Sequence, residues 1–163
     1  MPAKTQQLQI RVTPREKAAL KRLARAAGSD VSSYVLSRLM PAAQDRFGEI
    51  LRTLEAEADQ RVAFAELNDF LTGCPPAVFG EAVGRAALGG LSPFARNYVA
   101  AMVEQAAALK GVAPPAWVQD VAPLETPWFA TSLKHLRLHL LCSSPIPFKR
   151  RNLFVDSAVG ARV

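Results

Sequence analysis

Cysteine is nearly absent from this chain, and its two copies, Cys74 and Cys142, show no CxxC spacing. A disulfide framework and a cysteine-based metal site are therefore not expected, and both side chains read as reduced core thiols in a cytoplasmic protein. Long apolar runs are also missing. No stretch approaches the roughly 18 uninterrupted apolar residues that a membrane span needs, and the opening MPAKTQQ lacks the apolar segment of a signal peptide. There is no internal repeat and no low-complexity tract. Net charge is lacking from most of the chain too: residues 41–163 hold twelve basic and twelve acidic residues. The whole formal charge of +6 sits in residues 1–40, where eight Lys and Arg face Glu16 and Asp30 alone. Such a basic quarter is either a solvated helix face or an electrostatic footprint for a polyanion.

What is present is a core. Half of the 163 residues are apolar, enough to exclude general disorder. The expected class is mainly α, an N-terminal strand and two helices followed by a helical C-terminal domain with a Pro-rich, irregular tail. LQIRV alternates as a half-buried strand. Thr13, Pro14 and Glu16 then supply a cap, a first-turn proline and a capping box for a helix to about Ala27. Gly28 stops it, SDVSSYVLSRLM makes a second amphipathic helix, and Pro41 ends that helix or opens the next. Residues 42–73 read as a long helix or connector, either continuous or broken near Ala58, and Gly73 with the prolines after Cys74 closes it. Residues 74–163 form the C-terminal domain, with helices over Pro76–Leu88, Ser92–Leu109 and near Thr131–Leu141.

A lone strand leaves its backbone groups unpaired, and about forty residues cannot bury a core of their own. Two chains resolve both problems. Each donates a strand to an antiparallel ribbon, and four helices close its apolar side. Leu8, Ile10 and Val12 then form a dimer core with Leu20, Leu23, Val35 and Leu39. Gln7, Gln9 and Arg11 face outward. Two-stranded ribbons fit the major groove, where Gln pairs with adenine and Arg with guanine; the alternative is a plain dimer ribbon with an idle polar face.

In the order and length of QLQIRVTPREKAALKRLARAAGSDVSSYVLSRLM, residues 5–40 resemble the ribbon-helix-helix (Arc/MetJ-like) family of DNA-binding proteins, and RVTPREKAAL with a helix opening SxxVSSYVL is similar to its antitoxin subgroup. The resemblance implies base reading by Gln7, Gln9 and Arg11. It implies phosphate anchoring at the backbone N–H groups of Val31, Ser32 and Ser33, with Lys4, Lys17 and Lys21 adding attraction, although each lysine is also an ordinary solvated charge. Gly28 would hold the turn. The family's buried ionic triad is not reproduced, because Tyr34 stands where its carboxylate belongs and Arg38 is left to other partners. The implied function is a bacterial, cytoplasmic, homodimeric regulator of an operator in double-stranded DNA. It is most simply the antitoxin of a type II toxin–antitoxin system, repressing its own operon and neutralising a toxin through its C-terminal domain. The alternative is a ribbon-helix-helix regulator or partition protein whose C-terminal lobe binds a small ligand or drives oligomerisation.

In the tail SPIPFKRRNLFVD, Phe148 and Phe154 flank Lys149, Arg150 and Arg151, a pairing of apolar anchors and cations that suits an acidic partner groove. The alternative is a C-terminal strand packed on its own domain. No enzyme, metal or cofactor is expected. His135 and His139 have two-histidine spacing but no third ligand, Ser92 reads as a helix cap, and Asp120 and Glu125 have no partner at a defined spacing. Trp117, Trp128 and Phe129 pack the lobe or line an aromatic pocket.

Overall fold

The computed structural model describes residues 11–26 and 30–156, without the side chains of Ser33 and residues 36–42. It is mainly helical, with seven α-helices among the described residues: α1 Pro14–Ala26, α2 Val31–Ala56, α3 Arg61–Gly73, α4 Pro76–Ala82, α5 Pro93–Lys110, α6 Arg137–Ser143 and α7 Ile146–Lys149. Two short strands, β1 Trp128–Phe129 and β2 Leu153–Phe154, pair in parallel with Trp128 opposite Leu153. Two compact units divide inside α2, between Leu39 and Met40.

In the N-terminal unit, α1 starts as its residues dictate. The Thr13 N–H donates to Glu16 Oε2 at 2.8 Å, and the Glu16 N–H donates back to Thr13 Oγ1 at 3.3 Å, a reciprocal capping box. Glu16 in the first turn and Arg25 in the last complement the helix dipole. Pro41 neither ends nor opens a helix: α2 runs through it. A proline inside a helix in general removes one ladder hydrogen bond and crowds the carbonyl four residues back.

The second unit is built around α5, which is buried at Ala95, Val99, Ala100, Ala101, Val103, Ala106 and Ala107. These small residues let neighbours approach closely, and α3, α4 and α7 all touch it. Ser92 Oγ caps its start by accepting from the Ala95 N–H at 3.2 Å. Gly111, in the left-handed region at φ 65°, ends it while the Val112 N–H donates to the Ala107 carbonyl at 3.0 Å, a glycine stop of Schellman type.

Phe47, Ile50, Leu51 and Leu54 of α2 and Leu67 and Leu71 of α3 share one core cluster with Phe79, Val99, Val103, Phe148 and Leu153. The segment read as a connector, 42–73, is thus part of the C-terminal core, supplying seven of the 23 buried residues of that cluster. Its break does fall near Ala58, between the end of α2 and Arg61. Helix α4 ends at Ala82 and not at Leu88, and the expected helix near Thr131–Leu141 is a 3-10 turn, Lys134–Leu136, leading into α6. Only Cys74 of the two thiols is a core residue; Cys142 is exposed, and neither is disulfide-bonded. Burial raises the Cys74 thiol pKa, with Lys110 opposing.

Candidate nucleic-acid interface

The expected DNA readers fall unevenly across the described chain. Lys4, Gln7 and Gln9, together with Leu8, Ile10 and Gly28, lie outside the described residues, as does the side chain of Leu39. Arg11 and Val12 are described, exposed and in no strand. That is the state open to a ribbon residue in a single copy, since a strand exists only with a partner.

Helix α1 has two sides of opposite character. Lys17, Lys21 and Arg25, four residues apart, lie along one strip and are exposed. Arg15 and Arg22 are exposed as well, so the helix offers five cations to solvent. On the other side Leu20 is half-buried and Leu23 is 51% exposed, with Val12 at 41%. Ala24 is the buried residue of the helix. An amphipathic helix whose apolar side stays open within one copy has not found its full set of neighbours.

At the start of α2 the first backbone bond is from the Tyr34 N–H to the Asp30 carbonyl, 2.9 Å. The N–H groups of Val31, Ser32 and Ser33 thus precede the helical ladder, as an anion site at a helix start requires. Val31 is half-buried and Ser32 exposed. Asp30 brings a carboxylate to the same end; it favours the helix and competes with a phosphate there. Val35 and Tyr34 are half-buried.

Residues 2–62 match the family model of NikA-like proteins, described as mobilization protein NikA. The match spans the whole candidate interface and continues through α2. No curated protein and no solved structure matches the chain.

In the second unit the tail is placed differently from its reading as a partner anchor. Phe148 and Phe154 are buried, and Arg151 is 5% exposed. Its guanidinium donates to the carbonyls of Val118 at 2.8 Å and Val121 at 3.2 Å and pairs with Glu104. Lys149 is half-buried and donates to the Cys142 carbonyl at 2.7 Å; Arg150 is at the surface. The strand alternative describes these residues: β2 packs on its own lobe. Sequence alternation alone could not decide this, because a two-residue strand carries too little pattern.

His135 and His139 are exposed. The partner brought to His139 is Asp156, 3.9 Å away, and no group of three His, Cys, Asp or Glu able to hold a metal occurs among the described residues. Trp117 borders a cleft of about 820 Å³ with Asp120, Glu125 and Asn97, whereas Trp128 packs against Phe94 with the rings tilted by 53° and Phe129 stacks on Phe154. No helix among the described residues is long and apolar enough to cross a membrane.

Proposed function

We propose that residues 1–40 form a ribbon-helix-helix module that dimerises and binds double-stranded DNA, and that the chain works as a DNA-binding component of a mobilization system. The observation that carries this reading is α1 itself, a row of exposed cations on one side and an apolar side left open at Leu23 on the other. Dimerisation would cover the leucine side and leave Lys17, Lys21 and Arg25 to phosphates. Gln7, Gln9 and Arg11 would face the major groove on the paired strands. Catalysis has no place in this reading, and DNA as the partner puts its work in the cytoplasm.

The match to a mobilization protein family supports that setting over the antitoxin role. The tail expected to hold a toxin commits Phe148, Arg151 and Phe154 to the interior of the lobe, which leaves the antitoxin reading without an anchor there.

The salt dependence of duplex binding tests the electrostatic part. The full chain should lose affinity steeply with salt, and Lys17→Ala or Lys21→Ala should each lower the slope by about one counterion while weakening all sequences alike. Binding that ignores salt would refute the proposal.

A further inference from the structure

Every residue from Ser132 to His139 is exposed, and α6, which begins within this stretch, buries Leu140. Leucines consequently stand in water along the turn and helix: Leu133 is 51% exposed, Leu136 39%, Leu138 70% and Leu141 42%. Single exposed leucines are ordinary; four within nine residues make a patch that costs free energy until something covers it.

The charge around the patch says what can cover it. Of the five Lys and Arg between Thr126 and Val155, Arg150 and Arg151 pair with Glu104 and Lys149 donates to the Cys142 carbonyl, which leaves Lys134 and Arg137 to this surface; Asp156 lies at its edge, 3.9 Å from His139. Lys134 and Arg137 are interleaved with the leucines and exposed. The Arg137 guanidinium lies 4.9 Å from the centre of the Phe129 ring, which holds it in place while its N–H groups keep their capacity for a carboxylate. A two-fold contact between copies would set this basic strip against itself, a like-charge pairing that opposes docking. The stretches MPAKTQQLQI and SAVGARV at the ends of the sequence carry Lys4 and Arg162 and no acidic residue, so they do not complement it either.

We infer that the 133–141 surface docks an acidic amphipathic segment of another protein. Apolar side chains of that segment cover Leu138 and Leu141, and its carboxylates meet Lys134 and Arg137. The geometry is that of a short helix pairing with a second helix, with leucines as anchors and charges setting the partner's sign. This inference is independent of DNA binding by residues 1–40.

The test uses the full chain and two labelled synthetic helical peptides with the same leucine spacing. One carries Glu at its other surface positions and one carries Lys, and binding is followed by fluorescence anisotropy. The Glu peptide should bind at least about tenfold more tightly than the Lys peptide. Leu138→Ser and Lys134→Glu should each weaken it about tenfold or more, with circular dichroism unchanged because both side chains are exposed. Equal binding of the two peptides, binding of neither, or indifference to both substitutions overturns the inference. So does displacement of the Glu peptide by phosphatidylserine-containing vesicles or by a single-stranded oligonucleotide, which would assign the surface to lipid or nucleic acid. Concentration-dependent self-association lost in Leu138→Ser would assign it to a second copy and overturn it as well.

Discussion

Arg151 and Glu104 form an ion pair inside the C-terminal lobe, Nη2 to Oε2 at 3.2 Å, with side-chain exposures of 6% and 12%. Arg150 reaches the other carboxylate oxygen at 3.2 Å but is 67% exposed. The two arginines are neighbours in sequence and unequal in consequence. Removing one partner of a buried pair leaves the other desolvated and uncompensated, which costs about 3–5 kcal/mol. Exposed pairs contribute about 0–1 kcal/mol. Arg151→Met should therefore lower the stability of the full chain by about 3 kcal/mol, softened because Arg150 still faces Glu104. Arg150→Ala should cost under about 1 kcal/mol. Urea denaturation of the two variants separates them, and equal losses would contradict the assignment.

The start of α1 should depend on pH. The Thr13 backbone N–H, followed by its hydroxyl, donates to the Glu16 carboxylate and lowers its pKa from the ordinary 4.5. A group with a depressed folded-state pKa contributes stability that is present above 4.5 and lost as pH falls through the folded value. The cap should therefore be intact at neutral pH and fail in acid below 4.5. The chemical shifts of the first turn of α1 should report that loss, and Glu16→Gln should remove the dependence. Thr13→Ala should weaken the helix start by about 1 kcal/mol at neutral pH. A first turn that titrates identically with and without Glu16 would show the box to be idle.

Leu23 provides the test of dimerisation. Half-exposed in one copy, it stabilises that copy little, so Leu23→Asp should leave the urea denaturation of the C-terminal lobe unchanged. In a ribbon-helix-helix dimer it would bury a carboxylate, a cost of several kcal/mol without a partner. Sedimentation velocity should show the wild type as a dimer and Leu23→Asp as a monomer at the same concentration. A variant that remains dimeric would place the interface elsewhere.

The legible parts of the sequence were those fixed by local chemistry. The Thr13–Glu16 box and the Ser92 cap are set by residues within a turn of one another, and the structure has both. The helical class follows from apolar spacing in the same way. Pro41 misled because a proline ends a helix only when nothing around it sustains the ladder, and α2 is helical on both sides of it. The 42–73 segment looked like a connector because nothing in its own pattern says that Phe47 will stack on Phe70 and approach Trp117, far along the chain. The tail was ambiguous for a related reason. Arg151 looks like a surface cation until Glu104 and two carbonyls from the Val118–Val121 stretch are brought to it, and that is a tertiary event. As for the candidate interface, the cation row on α1 was readable residue by residue, whereas the 133–141 stretch was read only as a helix, which does not say that its leucines stay exposed.

The claim that this chain reads DNA through a ribbon stands or falls with Arg11. Full-length wild type and Arg11→Ala should each be used to select duplexes from a randomised pool at moderate salt. The wild type should enrich a sequence with repeated half-sites, and Arg11→Ala, folded and dimeric, should keep weak salt-sensitive binding while losing that preference, at about 1–3 kcal/mol per lost base contact. An Arg11→Ala protein that enriches the same sequence with the same affinity would contradict it.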